Sequence, residues 1–113
     1  MKELLISTLA VFDVPVKLEG SLSPQEYPDT FFTFWNFTSN NGSYSNDDMV
    51  TTWGYNVRLY STDPAKVETM KVDVIAELKK ANFIPNGKGN DFVYSSETHH
   101  VGWSVDVYYM EVN

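Results

Sequence analysis

Apolar residues in the second half of the chain recur every three or four positions between a helix-start signal and a pair of lysines. The residues that share one face of a helix at this spacing are Val67, Met70, Val74, Leu78 and Ala81. Asp63 can cap the free N–H groups, and Pro64 suits the first helical position. Lys79 and Lys80 complement the dipole at the other end. The pattern predicts a main amphipathic helix over residues 63–82.

Three further stretches, 30–37, 49–60 and 101–109, predict β-strands, and the last two alternate with the period of two that is typical of a half-buried strand. In the second stretch the apolar positions are Trp53, Tyr55, Val57 and Leu59. In the third stretch they are Val101, Trp103, Val105, Val107 and Tyr109. Both stretches predict strands with one buried face. The polar loop 38–48 predicts that the first two strands form a long hairpin.

The first of these strands differs from the others because it is apolar on both sides. Phe31, Trp35 and Phe37 fall on one face, and Phe32 and Phe34 fall on the other. A strand of this kind either lies in a sheet with both faces covered or carries an interface on one face.

Shorter patterns complete the predicted order of elements. Residues 2–12 predict a short N-terminal helix, and 91–96 predict a strand. Residues 14–18 predict another strand, which Pro15 places at a sheet edge. The order is α-β-β-β-α-β-β within one domain over 1–113. Because most strands are connected as hairpins, we predict an α+β fold with a mostly antiparallel sheet and both helices packed on it.

The acidic balance of the sequence disfavours several classes of partner. The 113-residue chain has a net charge of −7, and its 8 Lys and Arg residues are scattered. Nucleic acids and anionic membranes attract a concentrated basic face, so we expect neither specific DNA binding nor membrane binding. The chain has no cysteine, which excludes disulfides and cysteine-based metal sites. We expect the protein to be made and used in a reducing cytoplasm, or in a particle assembled there.

The residues that could support catalysis or cofactor binding do not form a known pattern. His99 and His100 are adjacent, so on a strand they would point to opposite faces and could not easily bind one metal. The segment 87–89 lacks the spacing of a phosphate-binding loop, and the loop 40–48 lacks the ligand spacing of a calcium site. We therefore predict a protein that is not an enzyme and uses no cofactor.

With 7 Phe, 7 Tyr and 3 Trp, the chain has more aromatic side chains than one main helix can cover. One explanation is a core of large side chains, and the other is an apolar surface left for a neighbouring subunit. For the set as a whole we favour the second and place the contact on the first long strand and its hairpin. The residues predicted for this interface are Phe32, Phe34, Asn41, Tyr44, Asp47, Asp48 and Trp53.

Three segments of the chain resemble a family of phage proteins. They are Tyr-Pro-Asp-Thr-Phe-Phe-Thr-Phe-Trp from Tyr27, Tyr-Asn-Val-Arg-Leu-Tyr-Ser-Thr-Asp-Pro from Tyr55 with the helix that follows, and His-Val-Gly-Trp-Ser-Val-Asp-Val-Tyr-Tyr from His100. Together they are similar to the tail terminator (tail-to-head joining) proteins of long-tailed phages and prophages. The match covers nearly the whole chain, from about Leu4, and contains no catalytic motif.

The resemblance implies a structural role in the virion. Proteins of this family form a hexameric ring on the head-proximal end of the tail tube, where they end tube growth and contact the head connector. The implied partners are further copies of this chain, the tail tube protein and a head-completion or connector protein, with DNA passing through the ring. An acidic lumen formed by residues such as Asp29, Asp47 or Asp48 would repel that DNA.

A different class of function fits the same aromatic residues. The sheet could hold a peptide or a small ligand against its aromatic face, and the chain would then be a small non-enzymatic α+β binding module. The neighbouring genes would separate the two functions, because a terminator gene should lie between head-joining and tube-protein genes.

Overall fold

The structure is a computed structural model, and it describes residues 1–41, 50–92 and 97–112. These residues form two α-helices and a six-stranded sheet, which confirms the predicted α+β fold. The predicted loop 38–48 is wrong at its start, because residues 38–41 continue the strand that begins at Thr30, and residues 42–48 lie outside the described residues. Three residues predicted for the interface, Tyr44, Asp47 and Asp48, are among the latter.

The helices are α1, Lys2–Leu9, and α2, Pro64–Lys80. The predicted start of α2 is confirmed, because the Asp63 carboxylate accepts a hydrogen bond from the Ala65 N–H at 3.0 Å and Pro64 occupies the first turn. A 3-10 turn, Ala10–Phe12, follows α1. The predicted helix over 2–12 is therefore confirmed in position, although its last turn is more tightly wound.

The strands are β1, Val16–Leu18; β2, Thr30–Asn41; β3, Val50–Ser61; β4, Ile84–Pro85; β5, Asn90–Phe92; and β6, Val101–Val112. Their order in the sheet is β1-β2-β3-β6-β4, and β5 also pairs with β6. Every pair is antiparallel except β1 with β2, which run parallel. The long hairpin predicted for the first two long strands is formed by β2 and β3.

Two strands differ from the predicted pattern, one in its direction and the other because it was not predicted. β1 lies at a sheet edge, as Pro15 indicated, but it is parallel to β2 because the connection 19–29 returns the chain to the start of the sheet. β4 was not predicted, since two residues carry no periodic signal. Its place beside β6 is supported by the Asn86 N–H, which donates to the Asp106 carbonyl at 2.8 Å.

The main core lies between the helices and one face of the sheet. Its buried residues come from α1 and α2 and from alternate positions of β2, β3 and β6, and they include Leu5, Leu9, Phe32, Phe34, Tyr55, Val57, Leu59, Val67, Val74, Leu78, Trp103, Val105 and Val107. Leu59 pairs with Phe32 on one side and with Trp103 on the other, so the three side chains share this face. The alternation predicted for β3 and β6 is therefore confirmed.

The opposite face is covered at the end where β2 begins. Phe31 stacks on Tyr60 with ring centroids 4.8 Å apart, and Tyr27 packs against Phe31 at 5.0 Å. Phe92 lies over Gly102, where an added Cβ would come within 2.0 Å of its ring. This local aromatic cluster, together with the core, accounts for much of the aromatic content without any partner.

Candidate subunit interface

The other end of the sheet is much less covered. We define the distal arm as residues 35–41 of β2, 50–56 of β3 and 106–112 of β6, which form one continuous three-stranded ladder. In its β2 segment, no residue whose side chain is described is buried. The β2 side of the distal arm is therefore a surface on which another protein can pack.

A partly exposed aromatic band crosses the open face of the distal arm. Trp35 is 42% exposed, and its ring meets Phe37 at 6.2 Å. Phe37 in turn meets the ring of Tyr108 edge-on at 5.6 Å. Met110, which is 60% exposed, lies two residues further along the same face of β6. We call Trp35, Phe37, Tyr108 and Met110 the aromatic band, and contiguous apolar surface of this kind is typical of protein contacts.

A β-bulge fixes the position of Phe37. The register of β2 against β3 shifts between Asn36 and Thr38, which makes Phe37 an extra residue on β2. Its ring lies on Gly54, where an added Cβ would come within 2.8 Å of two ring atoms. The Asn36 amide donates to the carbonyls of Thr38 at 2.8 Å and Gly54 at 3.0 Å. The backbone under the band is therefore held in one arrangement.

Polar side chains next to the band orient its tryptophan. Trp35 Nε1 donates to Asn56 Oδ1 at 3.2 Å, and Arg58 Nε donates to the same oxygen at 3.0 Å. Asn56 Nδ2 donates to Asp106 Oδ1 at 2.9 Å. The indole is thus held in place although it is exposed. Less side-chain entropy is then lost when a partner packs on it.

The charge of Arg58 is balanced on the same face of the sheet. Its Nη1 lies 3.5 Å from Glu19 Oε1 and donates to the Tyr60 oxygen at 3.5 Å, while the Tyr60 hydroxyl donates to Glu19 Oε1 at 3.2 Å. Burial raises the pKa of Tyr60, and the hydrogen bond to Tyr60 raises the pKa of Arg58. The guanidinium also lies 5.4 Å from the centre of the Phe92 ring. The guanidinium of Arg58 therefore has its partners within its own chain.

The structure reassigns the aromatic contact within β2. Phe32 and Phe34 were predicted for the interface, but both are buried under the helices and belong to the core. The physical reason is the alternation of the strand, which turns these two side chains towards α1 and α2 and their neighbours away from them. On the opposite face of β2, Trp35 is exposed and Phe37 is half-buried.

Two more predicted interface residues lie near the tip of the distal arm. Trp53 is on the helix-covered face, where it is half-buried and its Nε1 donates to Glu111 Oε1 at 3.1 Å. Asn41 is the last residue of β2, so its backbone is at the open tip. Sequence reasoning missed Tyr108 and Met110. The signal was present, because both occupy positions that the alternation of β6 assigns to the polar face.

The described histidine and carboxylate side chains do not gather into a metal-binding group. Among residues 1–41, 50–92 and 97–112, no group of three or more His, Cys, Asp or Glu side chains could hold a metal ion. His99 is exposed, whereas His100 is buried with its Nε2 2.7 Å from the Pro28 carbonyl oxygen. Within the same ranges, no helix has the length and apolar character needed to span a membrane.

A scan against protein-family models and a search of curated proteins found no match to this chain. The link to tail terminators therefore remains a resemblance, carried by the segments that begin at Tyr27, Tyr55 and His100. In the fold these segments contribute the first part of β2, the second half of β3 with the cap of α2, and most of β6.

Proposed function

We propose that this protein is a structural virion assembly protein of the tail terminator type. It caps the head-proximal end of a phage tail tube as a ring, ends tube growth and joins the tail to the head. The observation that carries the proposal is the partly exposed aromatic band, which is held in place by Asn56 and Gly54. A preorganised apolar surface on a sheet supports a role in contacts between subunits.

The placement of the resembling segments adds support. The strands β2, β3 and β6, to which the three segments contribute, are neighbours in the sheet. Both strands that carry the aromatic band, β2 and β6, contain residues from these segments. Two residues of the aromatic band, Trp35 and Tyr108, lie within the resembling segments, and Phe37 and Met110 follow within two residues of their ends.

In this proposal the protein has no enzymatic activity. Its partners are other copies of itself, the tail tube protein and a head-completion or connector protein, and it resides in the virion tail. DNA passes through the ring without specific binding, which is supported by the net charge of −7. An acidic surface repels the phosphate backbone and so does not retain the passing DNA.

Deletion of the gene from the genome that encodes it tests this function. Electron microscopy of the deletion strain should show overlong tails without heads, because tube growth is not stopped and the connector has no tail surface to join. The wild-type gene supplied in trans should restore joined particles, whereas a Trp35→Ala gene should not. Normal particles from the deletion strain would refute the proposal.

A cavity on the helix side of the sheet favours a second candidate, a small-ligand binding module. Its volume is about 340 Å³, and it is lined by Lys71, Val72, Ile75, Lys88, Gly89, Asp91 and Trp103. Lys71 is paired with Glu68 at 3.0 Å and with Asp91 at 3.8 Å, so the apolar side chains beside Lys88 are the part of the cavity that suits a small apolar carboxylate. Titration of Trp103 fluorescence with medium-chain carboxylates tests this candidate. Saturable quenching that is weakened by Lys88→Met would support it, and an unchanged spectrum would exclude it.

A further inference from the structure

We infer that copies of this chain associate edge to edge, with the open edge of β2 in one distal arm pairing with the open edge of β6 in the next. This inference rests on the proposed function, because the edge contact is the one through which the proposed ring would close. It goes beyond that function by assigning the contact to particular backbone groups.

The edge of β2 is covered only along its first part. β1 pairs with residues 32–34, and the Glu19 N–H adds one hydrogen bond to the Phe34 carbonyl at 2.9 Å. Beyond Phe34, no strand in the described part of the chain pairs with β2 on this side. In the distal part of β2, the outer edge therefore has no strand beside it among residues 1–41, 50–92 and 97–112.

The ladder itself shows which groups of β2 are open. Asp106 accepts from β4 through Asn86, so its backbone groups point away from β3. Its neighbour across the ladder, Asn56, must then direct its own backbone groups towards β2, and so must Gly54 two residues away. Thr38 pairs with Gly54 and is bonded inward. The N–H and C=O of the next residue, Ser39, therefore point outward.

The edge of β6 is open in the same way. β5 pairs with β6 along residues 102–104, and β4 pairs with it at Val107 and Tyr108. No described strand covers β6 beyond Tyr108 on this side. Since the backbone N–H and C=O of Asp106 point away from β3, the alternation of the strand also turns the backbone groups of Met110 and Val112 outward. Their side chains are 60% and 77% exposed.

Neither open edge carries the groups that usually prevent strand pairing. The β2 segment 35–41 contains no charged residue and no proline, and the β6 segment 109–112 contains one charge, Glu111, which accepts from Trp53 on the other face. The covered end is different, because Pro15 precedes β1 and Pro85 lies in β4. Charges and prolines are the common means of blocking an edge, so the distal edges are unprotected.

A second copy of this chain fits these two edges better than an unrelated strand. The edges lie on opposite sides of one arm at the same level, since Asn40, Thr52 and Met110 share a row. β2 and β6 are both antiparallel to β3, so copies placed side by side would pair β6 with the next β2 in parallel. Such head-to-tail contacts close into a ring or extend as a filament.

The side chains on the open face would continue across this contact. Tyr108 and Met110 lie at the β6 side of the aromatic band, and Trp35 and Phe37 lie at its β2 side. Pairing of neighbouring arms would bring the two halves of the band together between copies. The same contact would then satisfy open backbone groups and bury exposed aromatic surface.

Proline substitutions test the contact one edge at a time. Ser39→Pro removes an outward N–H from β2, and Met110→Pro removes one from β6, while the internal ladders keep all their donors. Ser39→Ala and Met110→Ala are the matched controls, because each loses the same side chain and keeps the N–H. Urea unfolding of all four variants establishes that they fold. Association is measured by analytical ultracentrifugation and native mass spectrometry at the highest attainable protein concentration.

The wild type and both alanine variants should self-associate, and each proline variant should be monomeric. An equimolar mixture of the two proline variants should form a one-to-one dimer and grow no further, because only one edge of each kind remains open. Self-association of Ser39→Pro alone or of Met110→Pro alone would overturn the head-to-tail arrangement, and so would a wild type that stays monomeric.

These results remain distinguishable from a failure of the proposed function. If the proline variants rescue head joining in the deletion strain, the edge contact is wrong and the tail function stands. If the edges pair as described but the deletion strain produces normal particles, the contact stands and the tail function is wrong.

Discussion

Trp35 Nε1 donates a hydrogen bond to Asn56 Oδ1 at 3.2 Å across the β2–β3 ladder, although 42% of the tryptophan is exposed. Asn56 is itself held by Asp106 at 2.9 Å on β6. The orientation of one exposed side chain is therefore set by all three strands of the distal arm. A surface aromatic residue held in this way is suited to be an anchor of a subunit contact.

Replacement of this anchor should separate assembly from folding. Trp35→Ala should weaken self-association by about 2 kcal/mol or more, the loss typical of a central aromatic residue in an interface. It should lower the free energy of unfolding by only about 1 kcal/mol, since much of the side chain is exposed. Sedimentation and urea unfolding measure the two quantities.

Val72→Ala is a matched control for Trp35→Ala. Val72 is an apolar residue that is 66% exposed, and its helix, α2, packs on the face of the sheet opposite to the aromatic band. Its replacement should change neither quantity by more than about 0.5 kcal/mol. If Trp35→Ala assembles as well as this control does, the aromatic band is not the contact.

The close packing of Phe37 on Gly54 predicts a coupled pair of mutations. Gly54→Ala should destabilise the fold by about 1–3 kcal/mol, because the new methyl group would overlap the ring and the Thr38 side chain. In the double variant with Phe37→Ala, part of this loss should be recovered, since the ring is gone. Urea unfolding of the two single variants and the double variant gives the coupling. Strictly additive losses would contradict the contact.

The N-cap of α2 offers an independent check of the fold. Asp63→Ala should lower the free energy of unfolding by about 1 kcal/mol, because the Ala65 N–H loses its acceptor. Asp63→Asn retains a side-chain oxygen and should cost far less. Thermal or urea unfolding compares them, and equal losses for the two variants would argue against a capping role.

The pKa of Tyr60 predicts a loss of stability at alkaline pH. Burial raises this pKa above the value near 10 of the unfolded chain. The stability contributed by the protonated Tyr60 hydroxyl is fully present below about pH 10. It is lost as pH rises through the folded pKa, because the unfolded chain releases the proton first. In urea unfolding between pH 8 and pH 11, the loss of stability should be smaller for Tyr60→Phe than for the wild type. Burial also raises the pKa of Tyr55, so part of the slope should remain. Identical slopes for the two proteins would contradict the assignment.

The parts of the fold that were predictable from sequence depend on local signals. The start of α2 follows from Asp63 and Pro64, which act on neighbouring backbone groups. The buried face of β6 follows from an alternation that continues over several residues, as does that of β3. Signals of this kind need no knowledge of what else the chain contacts.

The unpredicted parts depend on contacts between distant residues. β4 is only Ile84–Pro85 and exists because β6 lies beside it. The bulge at Phe37 arises where Gly54 of β3 admits the ring, and no local signal in β2 marks it. The two apolar faces of β2 were visible in the sequence. Which face the helices cover was decided only by the packing, and this placed Phe34 in the core and Trp35 at the surface.

We propose a ring of this protein at the junction of a phage tail and its head. Cryo-electron microscopy of intact particles carrying a tagged copy of the chain tests it most directly. This arrangement predicts one ring of tagged density at the head-proximal end of each tail tube, with the distal arms of neighbouring copies in contact. Particles without the tag, or a tag distributed along the tube, would contradict it.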